Sequence, residues 1–165
     1  MIFRSKEMNS KELKKIILEY LETQRLMCFA TFGKEPWAAN IYYLADKDLN
    51  LYFISKPWRK HCEALKINNK VAVGIADSTQ PIFEKQKGIQ LNGTASELKD
   101  LLKMAWVLRG WNKLIAGNKG EKVPGVKEFV ALAKSKIYKI KPKKIQFFNP
   151  GIWPEEQFKI LELKK

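Results

Sequence analysis

The sequence predicts a mainly β protein, a closed or partly closed antiparallel barrel of six strands with peripheral helices. Three observations predict it. Apolar, β-prone runs recur at short intervals between Leu26 and Asp77 and are separated by tight turns. Two further strand-like runs follow, at 88–98 and 135–148. Helical periodicity is confined to segments that precede or separate these runs.

The chain opens with a helix over 10–23. Asn9 and Glu12 have the spacing of a capping box, and Leu13, Ile16, Ile17, Tyr20 and Leu21 form an apolar stripe. The period then changes. Leu26 to Phe32 reads as the first strand, Gly33-Lys34-Glu35-Pro36 as a turn, Trp37 to Leu44 as the second strand and Leu49 to Ser55 as the third. Pro57 suits the first turn of a short helix that stops at Asn68-Asn69. Lys70 to Asp77 and Gly88 to Leu98 are the fourth and fifth strands, with a polar loop between them. A helix is expected over 98–116 and a shorter one over 126–133. The sixth strand, Ser135 to Phe148, alternates Lys136 and Lys139 with Ile137, Tyr138 and Ile140, so its lysines form a solvated face. Asn149-Pro150-Gly151 ends it, and the remainder reads as a tail. The expected organisation is one domain over 1–165, with its barrel at about 25–148 and the tail at 149–165.

Composition narrows the class. With 165 residues, 45% of them hydrophobic, the chain fills one core without disulfides or a structural metal. No apolar run is long enough to span a membrane, and the N-terminal stretch has neither an apolar h-region nor the acidic-poor pattern of a transit peptide. Cys28 and Cys62 form no C-x-x-C pair, which points to the reducing cytoplasm. Cys28 lies in an apolar run and is expected to be a buried thiol. The net charge of +14 favours encounters with phosphates and polyanions without naming a partner.

Much unaided chemistry is excluded. The one histidine, His61, directly precedes Cys62, and helix neighbours point about 100° apart, a poor geometry for nucleophile and base. No metal-ligand spacing, phosphate loop or dinucleotide fingerprint occurs. An enzyme of this composition needs a cofactor. The positive signal is Ser55-Lys56-Pro57-Trp58-Arg59-Lys60, where a strand gives way to a helix. A helix start offers open N–H groups and a positive dipole end, and three cations beside it suit a phosphate.

Five pieces stand in a familiar order: LMCFATFG, the Gly33 to Pro36 turn, Leu51 to Ser55, Arg59-Lys60 with Asn68 to Ala72, and Gly93 to Leu98. In this the chain resembles the pyridoxamine 5'-phosphate oxidase-like FMN-binding split barrels. The resemblance covers Leu13 to Leu98, with a weaker echo at Ser135 to Asn149. It implies a homodimer with FMN at the subunit interface and a flavin-dependent oxidoreductase activity. By position, Arg59 and Lys60 would hold the FMN phosphate, beside Lys56 and Trp58. Backbone and side chains of Asn40, Ile41, Tyr42, Phe53, Ile54 and Ser55 would flank the isoalloxazine and ribityl chain. Trp37 and Trp58 are placed to stack on a ring, and Trp153 to pack at the dimer interface or reach the partner's cofactor. Trp106 and Trp111 are expected to pack a helix.

The chain departs from the pyridoxamine phosphate oxidases themselves. Ala39 and Leu44 stand where those enzymes carry Arg and Lys, Trp58 replaces a serine, and Gly88 a glutamine. The expectation is therefore a smaller relative with another small-molecule substrate, and no catalytic residue is singled out. Two alternatives remain: a non-catalytic module for flavin, deazaflavin or haem, and a basic nucleic-acid-binding barrel. The aromatic residues fall in apolar runs such as Ile41-Tyr42-Tyr43-Leu44, which disfavours the nucleic-acid barrel.

Overall fold

Asn9 starts the first helix. Its side chain accepts from the backbone N–H groups of Lys11 and Glu12, both at 3.0 Å, and the Glu12 carboxylate accepts from the Asn9 N–H at 3.1 Å. This reciprocal pair satisfies donors that a helix start leaves open. In the computed structural model, which describes residues 8–83, 86–115, 125, 128–129 and 134–163, helix α1 spans Ser10–Thr23. It buries Leu13, Ile17, Tyr20 and Leu21.

The further elements are β1 (Leu26–Phe32), β2 (Pro36–Tyr42), β3 (Leu44–Ala45), β4 (Leu51–Ser55), α2 (Lys60–Ile67), β5 (Lys70–Ala76), β6 (Gly88–Glu97), α3 (Leu101–Ile115), β7 (Lys136–Phe148) and β8 (Phe158–Glu162). All pairs are antiparallel, in the order β2-β1-β5-β6-β7-β4-β3, with β8 added to β7. β2 and β3 stand at opposite ends of this path, yet only Tyr43 separates them in the chain. One bent strand thus serves both ends, and the sheet curls into a split barrel. Tyr43 forms the corner: its N–H donates to the Arg25 carbonyl at 3.0 Å and its hydroxyl to the Leu21 carbonyl at 2.9 Å.

Six strands were expected and eight segments are found. The second expected strand divides at Tyr43, and the expected tail contains β8. Trp153, also in that segment, is buried against Phe147 of its own chain, with ring centroids 5.9 Å apart, so it packs the core and does not wait for a partner subunit. α3 begins at Leu101, because the Asp100 side chain accepts from the Lys103 N–H at 3.0 Å and caps the helix there. The helix expected over 126–133 falls largely outside the described residues.

Alternation along the strands fills the barrel. Met27 and Phe29 of β1 point inward, and Phe29, Phe53 and Tyr138 pack in series, with centroids 5.1 Å and 5.0 Å apart. A second, smaller cluster lies outside the barrel wall, where Met104, Val107 and Leu108 of α3 cover Tyr52 and Ile137. At its margin the buried Asp46 carboxylate accepts from Lys103 Nζ at 2.8 Å, from the Tyr52 hydroxyl at 2.8 Å and from Asn50. These bonds tie α3 to the β3–β4 turn. Leu49 in that turn is buried at φ 64°, a conformation that non-glycine residues adopt at a cost and that the Asp46 bonds hold in place.

Candidate cofactor site at the split

The split is where the barrel wall lacks hydrogen bonds. β2 pairs only with β1, and β3 pairs with β4 only at Leu51 and Tyr52. The backbone edges of β2 and of Phe53–Ser55 therefore face each other without a strand between them. Asn40, Ile41 and Tyr42 lie on one lip, and Phe53, Ile54 and Ser55 on the other.

α2 closes one end of this opening, and Gly33 lets it do so. A Cβ at Gly33 would stand 2.9 Å from Ala64 Cα, so only glycine allows the helix to lie against the β1–β2 hairpin. The start of α2 is thereby brought beside Glu35 and Trp37. Lys60 Nζ sits 3.3 Å from a Glu35 carboxylate oxygen and 4.1 Å from the Trp37 ring centroid, and Lys56 Nζ sits 5.5 Å from that of Trp58. The Lys60–Glu35 pair is exposed, so it is worth at most about 1 kcal/mol and yields readily to a stronger anion.

Arg59 is the N-cap of α2, with extended backbone at φ −70° and ψ 143°, and no side chain caps that end. Its carbonyl accepts from the Cys62 and Glu63 N–H groups at 2.8 and 3.0 Å. The result is an exposed helix start, supplied with cations by Lys56, Arg59 and Lys60, all of which face solvent. Such an end offers free donors and a partial positive charge, which suit an anion.

Behind it lies a buried polar group that the sequence did not reveal. His61 is 8% exposed, and its Nε2 shares a hydrogen bond with Ser55 Oγ at 2.8 Å. Burial, and secondarily the Arg59 cation, push the imidazole pKa down. Burial pushes the Cys62 thiol pKa up, more than neighbouring Tyr138 and Ser55 lower it, so it is not an activated thiolate. Tyr138, from β7, is reached only by the fold and left no local signal.

The predicted residues thus fall into groups. Ser55, Lys56, Trp58, Arg59 and Lys60 form one continuous corner. Asn40 and Tyr42 are exposed, and Ile41 is half-buried on the inner face of β2. Ile54 packs beneath α3. Phe53 is fully buried, which corrects the expectation for its side chain: only its backbone edge faces the split. Trp37 and Trp58 are 40% and 51% exposed, open to a ring. Cys28 is also exposed, against expectation. It lies on the outer face of β1, on the same face as Leu26 and Phe32, and pairs across the ladders with Asn40 and Gly74.

A model of the pyridoxamine 5'-phosphate oxidase family matches residues 13–149. A pyridoxamine 5'-phosphate oxidase-like protein of Listeria innocua superposes with a TM-score of 0.61 at 25% identity, over 82% of this chain and 98% of that one. General stress protein 26 of Bacillus anthracis gives a TM-score of 0.65 at 18% identity, over 92% and 98%. The haem storage protein of Vibrio cholerae gives 0.60 at 12% identity, over 79% and 89%. No curated protein matches the chain.

Proposed function

Since the chain belongs to the pyridoxamine 5'-phosphate oxidase family, we propose that it binds FMN at the split and acts as a flavin-dependent oxidoreductase. The uncapped start of α2 at Arg59 carries this reading. Arg59 offers a forked pair of donors and Lys60 a point charge for the phosphate, with Lys56 beside them. The free backbone edges of Phe53–Ser55 and of β2 offer donors and acceptors for the flavin ring and ribityl chain, and Trp37 and Trp58 offer apolar faces. Bound there, FMN would supply the electron transfer that no side chain of this chain supplies.

A homodimer fits the same reading. Leu26, Cys28, Phe32 and Tyr42 on β1 and β2 continue through Ala72 and Ala76 of β5 as an exposed, largely apolar sheet surface. Monomeric proteins rarely leave such a surface open. The unpaired thiols fit a reducing cytoplasm. No helix among the described residues is long and apolar enough to cross a membrane.

The likeness to a haem storage protein raises haem as a second ligand. His61, the one histidine, is buried and bonded through Nε2 to Ser55, so axial ligation would require breaking that contact. FMN asks for no such rearrangement. The test is an absorption titration with FMN and, separately, with haem. FMN is expected to bind, and an Arg59→Ala/Lys60→Ala double variant to lose about 100-fold or more, because each charge-assisted bond contributes about 1.5–3 kcal/mol. A protein that ignores FMN but develops a haem spectrum would overturn the proposal.

A further inference from the structure

His61 stands where the candidate anion site meets the barrel interior. It is the second residue of α2, so its backbone N–H is one of those that a helix start leaves open. Its side chain is 8% exposed and packs against the core. The anion site and a buried titratable ring thus share one residue, the one histidine of the chain.

Nothing around the ring is arranged to hold it charged. Phe29 of β1 and Phe53 of β4 stand edge-on, with centroids 6.1 and 6.2 Å away, and Ser55 Oγ at the end of β4 lies 2.8 Å from Nε2. Cys62 follows on α2 and interacts with Tyr138 of β7, and burial keeps both of these groups neutral. Glu63 and Lys66 of α2 act on Cys62, and Glu97 of β6 on Tyr138. The charged group that acts on His61 itself is Arg59, and that charge is positive. Without a bound anion, an imidazolium there meets a repelling neighbour and the positive end of a helix, and finds no counter-ion among the described residues.

Ser55 leaves the change of charge open. Its hydroxyl can donate to a bare Nε2 or accept from a protonated one, so the bond survives in either state. An anion seated against Arg59, Lys60 and the open N–H groups would reverse the electrostatics at their source. It neutralises the repelling charge and supplies the counter-ion.

Given the anion site proposed above, we infer that His61 makes it pH-sensitive: anion binding at the start of α2 draws a proton onto the buried imidazole, and the site holds its anion more tightly in mildly acidic solution. The coupling is reciprocal, so the factor by which anion affinity rises equals the factor by which the imidazole gains affinity for its proton. It is complete below the titration midpoint of the anion-free protein and absent above that of the complex.

The test uses the untagged full chain at constant ionic strength, with sulfate exchanged for chloride, because sulfate keeps its charge from pH 5 to pH 8. The imidazole Hε1 proton of His61 is followed by nuclear magnetic resonance over that range, and sulfate affinity by the amide signals of Lys60 to Cys62. Sulfate affinity should rise about 3- to 10-fold from pH 8 to pH 5, and saturating sulfate should raise the His61 midpoint by the logarithm of the same factor. Arg59→Gln should raise the midpoint of the anion-free protein and shrink its response to sulfate. His61→Gln should bind sulfate equally at pH 5 and pH 8. Sulfate that binds without moving the His61 midpoint would overturn the coupling and leave the anion site standing. Sulfate that binds at no pH would overturn the coupling as well, and an FMN titration of the same sample then decides whether the cofactor reading falls with it.

Discussion

Ser55 Oγ and His61 Nε2, the last residue of β4 and the second of α2, lie 2.8 Å apart and join the barrel wall to the helix that carries the candidate phosphate site. Burial first, and then Arg59, hold the imidazole pKa below its ordinary value of about 6.5. The native state therefore favours neutral His61. Its contribution is complete above the ordinary value and is lost as pH falls through the depressed native one. Urea unfolding measured from pH 8 to pH 5 should show stability declining through this window in the native protein. His61→Gln, which keeps a hydrogen-bonding group but does not titrate, should flatten that decline. Parallel curves would refute it.

Gly33→Ala should cost about 1–3 kcal/mol, the usual range for overpacking, because the new methyl meets Ala64 Cα. The obstacle is backbone, so Ala64→Gly should restore only part of the loss. FMN affinity should fall in step, as α2 is pushed off the hairpin. An unchanged urea midpoint would show that the helix seat is looser than the 2.9 Å approach implies.

Asp46→Asn should destabilise the protein by about 1–3 kcal/mol, by leaving Lys103 and Tyr52 poorly paired. Burial pushes the Asp46 carboxyl up, but the bonds from Lys103, Tyr52 and Asn50 outweigh it and hold the group below the ordinary range. Its stabilisation is therefore present above about pH 4 and lost as pH falls through the lower native value. Acid unfolding of the variant should lack that component, and a coincident acid limb in both proteins would contradict the assignment.

Trp153→Ala should cost about 3–5 kcal/mol, the usual range for emptying a buried aromatic site. The loss should not depend on protein concentration, because Trp153 packs on Phe147 within one chain. A loss that vanished at high concentration would return Trp153 to a subunit interface.

Where one face of an element is polar, the sequence declared it. The boundaries of α1 and β1 were legible to the residue, and those of β5 and β6 nearly so, from a capping box, period-two runs and turn residues, whereas Pro57, expected in the first turn of α2, lies in a turn closed by the Arg59 N–H on the Lys56 carbonyl, and the helix starts only at Lys60. Cys28 was misjudged because Leu26 to Phe32 is apolar on both faces: Met27 and Phe29 fill the core, and Leu26, Cys28 and Phe32 lie outside. Alternation that is chemically silent cannot say which side is in. β8 was missed because Ile160 and Leu161 are adjacent and only Leu161 is buried, too little pattern to mark a strand. The basic corner at Ser55 to Lys60 was visible as a contiguous motif, whereas Tyr138 and Glu35 join it only through the fold.

β7 is shared among three strands. One edge pairs with β6 along its length, and the other is divided between β4, over 136–140, and β8, over 144–148. During synthesis β4 and β6 therefore emerge with open edges that no earlier segment covers, and the barrel wall is completed only when β7 has been made. Until then the nascent chain displays exposed strand edges of the kind that recruit other chains. The edges of β4 and β6 thus stay open until residues 136–148 have been made.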